Sequence, residues 1–381
     1  MRGKEGNGFQ ARAGGALLLL AALTSPLQAQ GALSLLERSS LVVEGRLLGG
    51  KVRGNPPYRL FRVTRVLLGR PPGPRIPLLD LSRVSAHLRP ITGKEYLLFL
   101  APLPPGRAPR RTFLVLQSPS GAVALDERGG RDFARLAAAL AARLHSPVKL
   151  AGLLLEALGS PSPRVVSSAA LDLETHRNLL PLLGPAGGRV LLERFRRLGP
   201  AGPWARPLAH VLGEIRPAGW AEALAAMLRA PGGAAFAVTV GRILGARLGA
   251  RSVEILERGA RQGRNPGAPP PPAHLLALGA TERREALSLL RGYLEEEGAF
   301  QGALSALALS RSWRAARILG EVLTQEEEGE GRGDRGEKRK KAVLKALARM
   351  GTRPARNLLE EIASGKRAPE LSREAARLLG R

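Results

Sequence analysis

The chain has 381 residues, 59 Lys+Arg against 32 Asp+Glu for a net charge of +27, and no cysteine. That length suggests two or three domains, and 44% apolar residues are enough for a buried core. Zero Cys excludes disulfides, Cys-ligated zinc, iron–sulfur clusters and a thiol nucleophile, and the scarcity of Asp argues against a carboxylate-rich calcium or magnesium site.

Residues 1–29 read as a secretory signal peptide. Arg2, Lys4 and Arg12 outnumber Glu5, an apolar run follows from Ala13 to Leu23, and a polar stretch with Pro26 ends in LQAQ. The apolar run is about half of the ~20 residues a spanning helix needs, so cleavage after Ala29 is expected rather than an uncleaved anchor. No later segment reaches spanning length without a charge. The mature chain is therefore expected to be exported, periplasmic or extracellular, with no transmembrane segment. Having no disulfides in an oxidising compartment, it depends on packing for its stability.

From Leu33 to Asp126 the pattern is short strands with turn punctuation. SLVVEGRLLGG (40–50), YRLFRVTRVLLG (58–69), RIPLLDL (75–81), EYLLFLAPL (95–103), TFLVLQS (112–118) and GAVALD (121–126) are separated by Gly/Pro clusters. Phe61 and Val63 share one face of the second run, and Arg62 and Thr64 the other. Five or six such strands in some 90 residues predict a small antiparallel β-barrel over 33–126. VVEGRLL, the strand ending RVLLG, GKEYLLFLAPL and the strand with GAVALDE resemble the OB-like barrel of the tissue-inhibitor and netrin class, as found in bacterial secreted proteins. The animal members carry cysteines that this chain lacks, so the resemblance implies a fold and an exported setting, without inhibitor activity.

From Arg131 the period changes to three and four. RDFARLAAALAARL, KLAGLLLEALG, GWAEALAAML, RREALSLLRGYLEEE, WRAARILGEVL and LSREAARLLGR are amphipathic helices. Leu-Gly steps at 212–213, 244–245 and 278–279 are 32 and 34 residues apart, and LSALALSRSWRAARIL (304–319) and LKALARMGTRPARNLLEEI (344–362) continue the series. A period in the thirties built from helix pairs predicts an α-helical HEAT-like solenoid over 131–381. The fold class is thus α+β multidomain. Residues 263–272 are expected to be a stiff Pro-rich loop, and 326–341 a charged insertion disordered at its centre.

No catalytic, cofactor-binding or metal-ligating residue emerges. His87, His145, His176, His210 and His274 are dispersed, with no pair at metal-holding helical spacing. Gly45, Gly50 and Lys51 begin a phosphate loop, but Val52 stands where Ser or Thr would hold magnesium. Gly331, Gly333 and Gly336 have dinucleotide-fold spacing without a preceding strand, and the tripeptide 332–334 is chance in a chain rich in Arg and Gly. A hydrolase or lyase would need a pocket gathering distant His and Glu residues. Trp220 and Trp313 stand at matching helix starts in two repeats (GWAEAL, SWRAAR), which reads as repeated packing.

Removing residues 1–29 leaves a charge of +25, densest in the barrel segment. Only nine of the basic residues are Lys, so much of this charge is what a GC-rich genome writes into any protein. The expected function is a non-enzymatic scaffold or adaptor that binds a protein partner through the solenoid surface. The alternative is an envelope protein binding a polyanion (acidic polysaccharide, anionic lipid or nucleic acid) through Arg59, Arg62, Arg65, Arg70 and Arg75 of the barrel.

Overall fold

The computed structural model describes residues 30–49, 58–79, 91–102, 112–116, 121–262, 268–328 and 334–380. The expected signal segment, residues 263–267 of the Pro-rich loop and the centre of the charged insertion at 329–333 lie outside them. The chain divides into two compact units between Gly187 and Gly188.

The first unit contains a small closed barrel. Its strands are β1 (Leu41–Leu47), β2 (Tyr58–Leu68), β3 (Arg75–Leu79), β4 (Glu95–Pro102), β5 (Phe113–Val115) and β6 (Ala122–Ala124). The order is β1-β2-β3-β5-β4, with β4 returning to pair with β1, so five strands close the ring. β3 and β5 run parallel and the other neighbours antiparallel, while β6 is added along β4. Closure removes the exposed edges that a sheet this small would otherwise present. Alternation fills the ring: Leu41, Val43, Leu47, Phe61, Ile76, Leu98 and Val115 form its core, while Arg62 and Thr64 face outward.

Four helices belong with the barrel: α1 (Ala32–Arg38), α2 (Gly130–Ala141), α3 (Pro147–Ala157) and α4 (Pro163–Thr175), followed by a 3₁₀ segment (Arg177–Leu183). α1 is not a feature the strand pattern foretells. Its apolar Ala32, Leu33, Leu35 and Leu36 are buried, and the helix packs on α2, α4 and β4. α5 (Gly184–Leu198) runs across the division between the units.

The second unit is built from helix pairs: α6 (Ala205–Ile215) with α7 (Trp220–Met227), α8 (Gly233–Leu248) with α9 (Arg251–Arg261), and α10 (Pro272–Thr281) with α11 (Arg284–Tyr293). α12 (Phe300–Leu309) with α13 (Trp313–Glu328) and α14 (Asp334–Met350) with α15 (Arg353–Ala363) continue them, and α16 (Ser372–Leu378) ends the series. α6, α8, α10, α12 and α14 pack on one another in order and form one layer. In the second layer α7 meets α9, α11 meets α13, and α13 meets α15.

The sequence period has a steric cause. Leu212, Leu244 and Leu278 are buried, and the glycine after each lies against the next helix of the first layer. A methyl group on Gly213 would stand 2.6 Å from Ile243, one on Gly245 2.9 Å from the Thr281 carbonyl oxygen, and one on Gly279 2.3 Å from that of Ala306. Only a residue without Cβ lets the helices approach this closely. The turn repeats as well: Arg216, Glu282 and Gly351, each four residues after Leu212, Leu278 and Leu347, all have positive φ.

The charged segment 326–341 is helical at both described ends, because α13 continues to Glu328 and α14 begins at Asp334. Tertiary contacts hold its basic half. Arg339 donates to the Leu294 carbonyl at 2.7 Å and lies over the Phe300 ring at 4.4 Å, and Lys340 pairs with Glu370 at 3.0 Å. In the Pro-rich loop, 268–271 lack regular structure and Pro272 opens α10, a position where its missing N–H costs nothing.

Candidate functional site

Three polar constellations stand out. The first joins α1 to α4. Asp172, fully buried on α4, accepts hydrogen bonds from the Leu33 N–H (2.8 Å), the Ser34 N–H (3.0 Å) and the Ser34 hydroxyl (2.9 Å). The Ala32 N–H donates to Ser168 Oγ at 2.7 Å. Three of the backbone donors that open α1 are thus met by side chains of α4. His176 extends the group, with Nδ1 2.9 Å from the Asp172 carbonyl oxygen and Nε2 2.8 Å from Glu37 Oε2.

Serine, histidine and acid are therefore neighbours here, which sequence spacing did not reveal. The connectivity is not that of a nucleophilic triad. Both imidazole nitrogens are engaged by Glu37 and a main-chain carbonyl, and the Ser34 hydroxyl points to Asp172 instead of to the ring. Burial works against charge on His176, but Glu37 and the Asp172 carbonyl outweigh it and raise its pKa above the usual histidine value. Burial likewise pushes the Asp172 carboxyl up to about 6, against the pull of its donors. The group clamps α1 in place.

The second is His274 on α10, fully buried beside Gly259, whose added methyl would stand 3.2 Å from Nε2. Its ring nitrogens make no hydrogen bond of good geometry among the described residues. Burial, then the charge of Arg229, push the imidazole down to about 4. A folded pKa below the unfolded 6.5 means that His274 leaves stability intact above about pH 6.5 and erodes it as pH falls toward 4. Replacing His274 with Leu removes this penalty. The variant is expected to gain about 2 kcal/mol more relative to wild type at about pH 5 than at about pH 7.5, measured by urea unfolding at both values. Equal effects at the two pH values would contradict the assignment.

The third is surface charge. Strand register sets Arg62 of β2 opposite Arg46 of β1 on one side and Arg75 of β3 on the other, a cross-strand row of three guanidiniums with Glu95 of β4 beyond Arg46. Arg46 pairs with Glu95 at 3.4 Å. Of the five arginines singled out from sequence, Arg62 and Arg75 are brought together. Arg65 is exposed but pairs with Glu44 at 3.6 Å, Arg59 is half-buried opposite Leu78, and Arg70 lies beyond the end of β2. Arg46 completes the row and was not foreseen.

A denser patch lies between α11 and α13. Trp313, 52% exposed, has the Arg314 and Arg317 guanidinium carbons 5.3 and 5.4 Å from its ring centroid. These residues, with Arg284 and Arg291 of α11, rim a concavity of about 430 Å³ floored by Leu287 and Ile318. Arg291 and Arg317 share Glu321, at 3.0 and 3.2 Å, whereas Arg284 and Arg314 have no acidic partner among the described residues.

Trp220 also opens a helix, α7, but it is 6% exposed. The two tryptophans do not occupy equivalent repeat positions. Trp313 stands six residues after Leu307, as Arg284 does after Leu278 and Arg353 after Leu347, and all three are exposed. Trp220 stands eight after Leu212, where the other repeats bury Ala286, Ala315 and Ala355. One tryptophan fills a packing position, and the other stands on the surface.

Among the described residues no group of three His, Asp or Glu could hold a metal ion, and no helix is long and apolar enough to cross a membrane. In comparisons with known proteins, no family model, no curated protein and no solved structure matches the chain.

Proposed function

We propose that the chain is an exported, non-enzymatic scaffold or adaptor, an OB-like barrel followed by a HEAT-like helical array that holds a polypeptide partner on its surface. The observation that carries this reading is the construction of the second unit. Each helix pair uses its inner positions, such as Leu212, Gly245 and Ala286, to pack on neighbours. The outward positions of α11 and α13 carry an exposed indole and guanidiniums without acidic partners. Arrays of this kind bind through surfaces assembled from successive repeats. The strand order, with β4 closing on β1 and β3 parallel to β5, supports the OB-like reading of the barrel. Export rests on the three-part composition of residues 1–29, and a cut after Ala29 leaves α1 whole.

The Arg46–Arg62–Arg75 row favours a second reading, polyanion binding on the barrel. Like charges directly opposite on adjacent strands destabilise a sheet, and an anion laid across them would relieve that repulsion. Binding of residues 30–381 to labelled DNA and to an acidic polysaccharide across a salt series separates the two. The scaffold reading expects weak binding, gone near physiological salt and insensitive to reversing the three arginines. A steep linear loss of log affinity with log salt, shared by both ligands, persisting at physiological salt and abolished by the reversal, would favour the polyanion reading.

A further inference from the structure

We propose that the cleft between α11 and α13 takes a carboxylate-rich segment of a partner polypeptide with an apolar anchor, Arg284 and Arg314 holding its carboxylates and Leu287, Ile318 and the indole of Trp313 its apolar side chain. This names the partner's chemistry at the surface described above and rests on the interaction reading.

Charge balance is the first argument. Glu321 already serves Arg291 and Arg317, while Arg284 and Arg314 present guanidinium forks with no acidic partner among the described residues. Such forks match the two oxygens of a carboxylate. Locality is the second. On other helices of the same layer Arg261 is matched by Glu257 on α9 and Arg356 by Glu360 on α15, acids of their own helix. In this one concavity four arginines meet a single acid, Glu321, whereas a running polyanion is tracked by an extended basic groove. A concavity of about 430 Å³ holds a few side chains and no more.

The indole supplies the third. Arg314 and Arg317 already lie at stacking distance from Trp313, so a nucleobase would have to compete with two guanidiniums for the ring. An aliphatic side chain needs only the ring edge and the buried Leu287 and Ile318 below it.

The test measures fluorescence anisotropy of labelled probes with the full chain at physiological salt. The probes are a short peptide alternating Glu with Leu, its counterpart with Lys for Glu, an oligothymidylate and an acidic oligosaccharide. The Glu–Leu peptide is expected to bind and the other three to bind at least about tenfold more weakly. The double variant Arg284→Glu/Arg314→Glu should lose about tenfold or more in affinity for it, Trp313→Ala should weaken it too, and Arg261→Glu should leave it unchanged. Peptide binding should also shift tryptophan emission in the wild type, a signal that needs no variant. The inference is overturned if the Glu–Leu peptide does not bind, if the double variant binds it equally well, or if the oligothymidylate or oligosaccharide binds more tightly at the same arginines. In those cases partner cross-links elsewhere on the helical region would still uphold the interaction reading, and their absence as well would end both.

Discussion

Asp172→Ala is expected to lower the unfolding free energy of the first unit by about 3 kcal/mol, roughly the desolvation cost of one buried donor and one part-buried donor left unmet. The Leu33 and Ser34 N–H groups lose their acceptor, and no water-facing alternative exists for the buried Leu33. The approach is close as well. A methyl on Gly31 would lie 2.1 Å from Asp172 Cγ, so the chain entering α1 is fitted around this carboxylate. Asp172→Asn keeps one acceptor and should cost about half as much, since one of the donors still finds an oxygen.

The pH dependence of that second variant carries a sign. Burial sets the folded carboxyl at about 6 against 3.8 unfolded, so the wild type is favoured most below about pH 4 and loses that contribution as pH rises toward 6. Asparagine does not titrate. The deficit of Asp172→Asn relative to wild type should therefore be larger at about pH 4 than at about pH 7, in urea unfolding followed by circular dichroism. A constant deficit would show that the hydrogen bonds hold Asp172 ionised throughout.

Gly279→Ala and Gly241→Ala should each destabilise the second unit by about 2–3 kcal/mol, the range of overpacked cores. Helix propensity alone would favour alanine by about 1 kcal/mol. The added methyl, however, would stand 2.3 Å from the Ala306 carbonyl oxygen in the first case and 2.1 Å from that of Ala277 in the second. Main-chain atoms cannot swing away as a side chain can, so α10 must part from α12 in the first variant and from α8 in the second. Both pairs involve α10, so the double variant should depart from additivity. Gly152→Ala on α3, where nothing lies within 4 Å, is the control and should gain about 1 kcal/mol. Thermal melts that rank all three alike would remove close helix approach as the reason for the repeat glycines.

The features legible in the sequence are those carried by local periods. Short apolar runs punctuated by Gly and Pro located the six strands, and the Leu-Gly spacing located three positions where successive helices touch. Features set by packing across distance were not legible. α1 has only seven residues, and its donors are met by an aspartate 139 positions along the chain from Leu33. The spacing of Arg284 and Arg291, and of Arg314 and Arg317, puts each pair on one helix face, but only the meeting of α11 and α13 makes those faces one cleft. Arg46 joins Arg62 through a register that includes irregularities in β1 pairing at Val42/Val43 and Glu44/Gly45. A simple alternation count across the strand would misplace it. The tryptophans misled for a related reason, since both open helices but sit two positions apart in the repeat frame.

The most direct measurement is cross-linking of the full chain in the cells that make it, followed by mass spectrometry of the adducts and their attachment sites. Reproducible polypeptide adducts attached within 188–381, concentrated on α11 and α13 and lost in Arg284→Glu/Arg314→Glu, are the expected result. Adducts confined to the barrel arginines and carrying nucleic acid or polysaccharide, or no polypeptide adduct in repeated experiments, would contradict the account.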